Sequence, residues 1–249
     1  MEFLPYILIA IVGLLSGLVS GISGGGGAML MIPAFIFSGL PPQVAVATAK
    51  LSGLGGDFGG LTAFIRSGHI RKDIIKVMIP IAVIVALITP LVFAVVESKG
   101  FQIALAVFMI LMLPTLFIKK KTIKPPTRKH KFFGYSLYTV VLFLQGIFSG
   151  GVGSLAVYVL TLLFGASKIE TMATRRAVVA VMSPIAVIAL FLGGFISIWL
   201  GLIGLVTQFI GTHIGTKIVL KRGELFVTVV MAVTILVSSA VLLVNAVSN

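Results

Sequence analysis

Three cations stand inside long apolar runs of this chain: Lys50, Arg175 and Arg176. Lys50 lies seven residues into its apolar segment and Arg176 six into its own, which puts each about 10 Å deep at 1.5 Å per helical residue. A charge at that depth is expensive and marks a partner or a pathway. Thr48 and Thr174 precede these two cations by two residues and add hydroxyl donors near the same level. Two glycine clusters, Ser23-Gly24-Gly25-Gly26-Gly27 and Ser149-Gly150-Gly151-Val152-Gly153, interrupt otherwise apolar helical runs. Each glycine weakens a helix interior by about 1 kcal/mol, so the helix is expected to unwind there. Unwound backbone is tolerated in a bilayer only where protein buries it or where it lines a watery cavity. The chemistry these groups share is anion binding, through free N–H groups at a helix restart, hydroxyl donors and fixed positive charge. A lone glycine cluster would read as close helix packing through small residues. Two matched copies, each with a helix restart after it, favour a site.

Other polar groups inside the apolar runs keep two readings each. Asp57 is the only carboxylate deep in an apolar segment, seven residues after Lys50 and nearly on the same helix face. It reads as a salt-bridge partner that neutralises Lys50, or as a carboxylate that couples a proton to transport. Arg175 has no counterpart in the other cluster and reads as a second site cation, or as a side chain that snorkels or pairs with Glu170 near the membrane edge. His213, with Gln208 and Thr212, reads as a hydrogen-bonded residue between helices or as part of a proton relay. Gln145 lies near the second cluster, while His69 and His130 fall in connecting segments. No His, Asp and Glu set has metal-ligand spacing, no Ser-His-Asp motif is present, and no phosphate-binding Walker motif occurs. The expectation is a protein that is not an enzyme and uses no metal or cofactor.

The elements that hold these residues follow from composition. Of 249 residues, 59% are hydrophobic and 10% charged, where a soluble domain carries about a quarter charged. The charge-free runs 3–49, 77–96, 100–118, 132–167, 177–216 and 225–249 are mostly long enough to cross a bilayer, since a span needs roughly 20 apolar residues. The fold class is therefore an all-α polytopic membrane protein, because strands of a membrane barrel would be about ten alternating residues long. The chain has no cysteine, which excludes disulfides and thiol or iron–sulfur chemistry. A net charge of +13 would point to nucleic acid on a soluble face. Here it reads as cations flanking spans on the cytoplasmic side, with the lipid bilayer as partner and no nucleic acid. The N-terminal run lacks a basic leader and is expected to be a retained membrane segment.

Slid against itself, the sequence aligns in one ungapped register with an offset of 126 residues, the separation of Ser183 from Asp57. The glycine clusters superpose, and Gly39 meets Gly165, Ala47-Thr48 meets Ala173-Thr174, Lys50 meets Arg176 and Gly68 meets Gly194. The organisation is a first transmembrane repeat, 1–118, a basic cytoplasmic linker, 119–131, and a second repeat, 132–249. The linker holds seven cations and two prolines. Arg66, Arg71, Lys72 and Lys76 have no cationic mates near 193–199, whereas Lys217, Lys221 and Arg222 face the uncharged-on-balance turn 97–100. The bias swaps between halves, as two oppositely oriented repeats require. Inversion needs an odd number of legs, here 3–22, 28–40, 43–65, 74–96 and 101–118, then 132–148, 154–166, 170–192, 199–216 and 225–246. These are two inverted-topology repeats with Gly-broken helices, about 8 full spans or 10 hydrophobic segments, the short second leg of each being re-entrant or spanning.

This pattern resembles the TauE/SafE sulfite-exporter family of membrane permeases. The resemblance rests on Gly21-Ile22-Ser23-Gly24-Gly25-Gly26-Gly27, Pro33, and Ala47-Thr48-Ala49-Lys50-Leu51, then on Gly146-Ile147-Phe148-Ser149-Gly150-Gly151-Val152-Gly153 and Ala173-Thr174-Arg175-Arg176. The chain departs from the family in having Ala49 where many members have Asn, and Val159 opposite Pro33. The resemblance implies a secondary carrier, often an exporter, of sulfite, thiosulfate or organosulfonates in a bacterial or archaeal plasma membrane. An anion channel and a transporter of small organic acids are the alternatives. The expected site comprises Ser23, Gly24, Gly25, Gly26, Gly27, Thr48, Lys50, Ser149, Gly150, Gly151, Gly153, Thr174 and Arg176. Asp57, Arg175 and His213 stand as coupling or charge partners, with a small anion as substrate and protons as a coupling ion. The oligomeric state leaves no mark in the sequence.

Overall fold

A computed structural model describes residues 3–25, 27–93, 128–148 and 152–222, with separate positions between 225 and 244. The expected fifth leg of the first half, residues 119–127 of the linker, and Gly26, Ser149, Gly150 and Gly151 lie outside the described residues. Among the described residues the chain is all helical. The elements are α1 (Leu4–Ser23), α2 (Gly27–Phe37), α3 (Pro42–Phe64), α4 (Lys72–Phe93), α5 (Arg128–Phe148), α6 (Val152–Phe164), α7 (Lys168–Leu192) and α8 (Ile198–Arg222).

Local chemistry places the boundaries. Proline in the first turn starts α1 and α3, where its missing N–H costs nothing. Ser167 caps α7: its hydroxyl accepts from the Glu170 N–H at 3.1 Å, and the Glu170 carboxylate accepts from the Ser167 N–H at 2.6 Å. Glu170 is thus committed to the unpaired N–H groups of a helix start rather than to the pairing with Arg175 that the sequence allowed. Gly24 ends α1 in the left-handed region, at φ 75°, and α2 restarts three residues later at Gly27. Gly39, Gly165, Gly68 and Gly194, two pairs in the 126-residue register, also take positive φ, from 63° to 91°. Only glycine enters that region without strain, so the register aligned equivalent turns.

Among the described residues, three helices, α1, α7 and α8, are long and apolar enough to cross a membrane. The short second legs are not. With 11 residues α2 is about 16 Å long, and α6 with 13 is about 20 Å, against a hydrocarbon core of about 30 Å. Large apolar side chains cover the outer faces, among them Ile7, Ile11, Leu15, Val206, Ile210 and Ile214, as an integral membrane protein requires.

The fourth helices are exchanged between the halves. α8 packs along α1 and α3, while α4 packs along α7 and α5. Two apolar cores result, the second of which also takes in Phe64 of α3 and Val219 of α8. One joins Ile9, Met31, Phe35, Ala45 and Ala49 with Leu200 of α8, and the other joins Ile74, Met78 and Ala82 of α4 with Leu142, Leu160 and Met172. The α1–α8 seam runs on glycine. A Cβ on Gly17 would sit 2.8 Å from the Gln208 carbonyl oxygen and 3.0 Å from its Cα, so the two backbones are nearly in contact.

Connecting loops are tied across the halves in a matched way. The Ser197 N–H donates to Thr48 Oγ1 and the Arg71 N–H donates to Thr174 Oγ1, both at 3.0 Å. Ser197 and Arg71 stand in the same register as Thr174 and Thr48. Ahead of the expected leg 74–96, Arg71 also holds Asp73 through two hydrogen bonds of 2.9 and 2.7 Å. That hydrogen bonding holds the Asp73 carboxyl below its ordinary range. Its contribution is small because both groups are partly exposed. It is present above the usual carboxylate pKa and lost as pH falls through the lowered one.

Two outcomes follow. The chain has no native cysteine, so the pairs Thr48→Cys with Ser197→Cys and Arg71→Cys with Thr174→Cys are expected to form disulfides on mild oxidation, read as a gel shift after cleavage between them. Failure of both pairs in folded protein would contradict the exchanged packing. Gly17→Ala should lower stability by about 1–3 kcal/mol, measured as a reduced thermal midpoint, whereas Gly53→Ala, with open space around its Cβ, should not.

Candidate functional site

The two glycine breaks meet. A Cβ on Gly25 would lie 2.7 Å from the Gly153 Cα, and one on Gly153 would lie 2.8 Å from the Gly25 Cα. Their backbones are in direct contact, which leaves no room for an anion between Gly25 and Gly153. Ser23 sits just before the break and closes it. Its hydroxyl donates to the Val19 carbonyl at 2.8 Å and to the carbonyl of Gly25.

Around this crossing, each of the three buried-run cations donates to a carbonyl near the end of a broken helix from the other half. The Lys50 ammonium bonds the Gly146 carbonyl of α5. Arg175 Nη1 bonds the Gly24 carbonyl at 2.7 Å, and Arg176 Nη2 bonds the Ser20 carbonyl of α1 at 2.8 Å. Lys50 with Gly146 and Arg176 with Ser20 are the same contact in the two halves of the register. The last carbonyls of a helix lack intrahelical partners and carry partial negative charge, so cations are the natural groups to meet them. Arg175 therefore neither snorkels nor pairs with Glu170. It is buried, and its guanidinium closes over Gly153, whose Cβ position is 2.8 Å from Nη2.

Asp57 faces Arg176. Its Oδ1 accepts from Arg176 Nη1 at 3.0 Å and its Oδ2 accepts from Ser183 Oγ at 2.7 Å. The ion pair the structure shows for Asp57 is thus with the other half, 119 residues away, and not the one along its own helix that spacing proposed. Seven residues align two side chains on a face, but the α3–α7 crossing brings the guanidinium closer. The Ser20 hydroxyl adds a further contact to Arg176 Nη2 at 2.8 Å.

Beside this network lies a cavity of about 50 Å³ whose lining includes Lys50, Gly53, Asp57, Gln145, Gly146 and Ser183. About 10–15 Å³ of such space holds one water, so it accommodates a few waters or a small solute. Of the residues singled out in the sequence, Lys50, Asp57 and Gln145 line it, while Arg176 stands behind Asp57. The Gln145 Oε1 is buried without a hydrogen-bond partner. Thr48 and Thr174 do not line the cavity, since their hydroxyls hold the loop N–H groups of Ser197 and Arg71. His213 sits apart, its Nδ1 3.1 Å from Thr62 Oγ1 and 3.3 Å from the Gly59 carbonyl. Ser20 and Ser183 were not assigned roles from sequence. The available signal was the stripe of Ser16, Ser20 and Ser23 beside Gly13, Gly17 and Gly21 on α1, and the register that sets Ser183 opposite Asp57.

Breaking a buried pair by removing one partner costs about 3–5 kcal/mol. Arg176→Met alone should therefore strongly lower the thermal midpoint. Combined with Asp57→Leu, the loss should be smaller than the sum of the single losses, by at least about 1 kcal/mol. Additive losses would mean the pair is not coupled.

Comparison with known proteins agrees with the chain-wide pattern. The model of the family described as sulfite exporter TauE/SafE matches residues 9–242. A Haemophilus influenzae protein named as a probable membrane transporter protein is 28% identical over 86% of this chain and 84% of its own length. The probable membrane transporter protein YfcA of Escherichia coli is 25% identical over 93% and 87%. The probable membrane transporter protein YunE of Bacillus subtilis is 24% identical over 94% and 95%.

Proposed function

This chain belongs to the TauE/SafE sulfite-exporter family, and from that premise we propose that it is a secondary carrier of small sulfur-containing anions such as sulfite, thiosulfate or organosulfonates. The observation that carries this reading is the cavity at the crossing of the two halves, with the Lys50 ammonium on its wall and Arg176 behind it. The substrate anion sits beside the contacting glycine breaks rather than between them. Lys50 neutralises it, and Gln145 and Ser183 supply polar contacts. The glycine breaks let the backbones come close enough for the cations of each half to reach the other.

The two halves are read as inverted repeats, 1–118 and 132–249, joined by the basic linker 119–131 on the cytoplasmic side. Support comes from contacts that recur at the 126-residue offset: Lys50 with Gly146 and Arg176 with Ser20, then Ser197 with Thr48 and Arg71 with Thr174. Each is the kind of reciprocal pair a two-fold axis in the membrane plane generates. The short α2 and α6 are counted as legs of their own, which keeps the odd number, five, that inversion requires in each half. Alternating access then moves the exchanged units, α1, α2, α3 and α8 against α4, α5, α6 and α7, across the α3–α7 crossing. The membrane is the plasma membrane of a bacterium or archaeon.

Lys50→Ala is expected to abolish thiosulfate and sulfite flux into proteoliposomes while the protein remains folded and monodisperse. Unchanged flux in that variant would refute the assignment. In the wild type, flux should saturate with concentration, and a purified protein should gain thermal stability with a bound anion in proportion to occupancy. Flux that rises linearly to high concentration would favour a channel.

A further inference from the structure

The cavity that receives the anion also exposes a carboxylate. Asp57 lines the same wall as Lys50, so an anion held by Lys50 lies close to a second negative charge in surroundings that screen poorly. The present partners of Asp57 are arranged so that it can be replaced. Arg176 Nη1 is bonded to Asp57 Oδ1, but Nη2 is separately anchored by the Ser20 carbonyl and hydroxyl, each at 2.8 Å. The guanidinium therefore keeps its position if Nη1 changes acceptor. On the other side, the Ser183 hydroxyl donates to Asp57 Oδ2 at 2.7 Å. A hydroxyl donates or accepts as its neighbour requires, so Ser183 accepts from a protonated carboxyl as readily as it donates to an ionised one.

We propose that Asp57 is the proton site of this carrier: an entering anion takes the place of Asp57 as counter-ion of Arg176, and one proton from water binds the Asp57 carboxylate in the same event. One O–H bond forms on Asp57 as one breaks in the hydronium or buffer acid that gives the proton, and no covalent bond of the anion breaks. The groups facing Asp57 permit this reading. α7 contributes Arg176 and Ser183, α1 contributes Ser20, and α5 contributes Gln145 across the cavity. Its own helix contributes Lys50. α2 contributes no ionisable residue. From α8, Gln208 and Thr212 approach through Gly56, and His213 is turned to Thr62 and Gly59. Arg175 is turned to the Gly24 carbonyl. Among the described residues, Asp57 is then the carboxylate at the cavity. By linkage, the proton and the anion each strengthen the binding of the other by the same factor.

The proposal rests on the anion-carrier reading and is tested apart from it. Methanesulfonate and thiosulfate are fully ionised near neutral pH, so neither brings a proton. Purified wild-type protein in weakly buffered detergent solution is titrated with each, with binding read by calorimetry and proton uptake by a pH-indicator dye. The expected result is close to one proton taken up per anion bound, with affinity falling about tenfold per pH unit once Asp57 is ionised in the empty protein. Binding without proton uptake, at constant affinity across pH 5 to 8, overturns the proton site and leaves the carrier reading intact. Absence of binding by both anions overturns the carrier reading and this inference with it. Asp57→Asn, checked for monodispersity, should bind methanesulfonate with no proton uptake. Uptake that persists in that variant assigns the proton elsewhere and overturns the proposal. The wild-type titration decides the matter even where the variant does not fold.

Discussion

A helix that stops inside a bilayer leaves carbonyl oxygens that no water can satisfy, and each unsatisfied group costs several kcal/mol. This protein stops α1 at Gly24 and resumes at Gly27. The freed carbonyls are met by cations from the far side of the molecule: Arg175 on Gly24 and Arg176 on Ser20, with Lys50 on Gly146 near the end of α5. The same interaction explains two puzzles at once. Charges that would be ruinous in lipid are tolerated because they face the negative, carbonyl ends of helix dipoles. Glycine clusters that would weaken any helix are tolerated because their backbone is held by those charges. Arg176 has an additional load, since its other amino group carries the ion pair with Asp57.

Exchange of the fourth helices gives that centre a rigid setting. α8 lies along α1 and α3 through glycines so close that Gly55 and Gly59 of α3 pack on the backbone of Leu205 and Phe209. α4 fills the equivalent place against α5 and α7 with larger side chains such as Met78 and Ile74. Each apolar core therefore contains helices from both ends of the chain. The contact between the two units is mainly the α3–α7 crossing, which carries Lys50, Asp57, Arg175, Arg176 and Ser183.

Much of this was legible in the sequence because it is one-dimensional. Charge-free runs of 19 to 47 residues leave only membrane helices as an outcome. The helix boundaries follow glycine, proline and capping chemistry, and the aligned glycines Gly39 with Gly165 and Gly68 with Gly194 all adopt the left-handed turn. Partners were harder to read. Spacing along α3 pointed Asp57 at Lys50, because helical periodicity describes only neighbours on one helix. The observed partner, Arg176, comes from a helix crossing that no single segment encodes. The threonines read as anion donors because hydroxyls near a cation fit that role, yet Thr48 and Thr174 hold loop N–H groups. Their distant partners, Ser197 and Arg71, carry no compositional signal of their own. The cavity at Lys50 and Asp57 falls within the set of residues singled out by type, while its position beside the glycine crossing required three dimensions.

The exchanged helices also bear on how the protein is made. The glycine face of α1, with Gly13, Gly17 and Gly21, finds its close partner in α8, whose sequence begins at Ile198. At about 5–20 residues per second of synthesis, α1 waits roughly ten to forty seconds in the membrane before that partner emerges from the ribosome. During this interval a groove built for backbone-to-backbone contact is open to lipid or to any other small-faced helix. The nascent first half is consequently an unfinished body rather than a folded precursor, and its safe passage depends on whatever shelters it until the last spans are inserted.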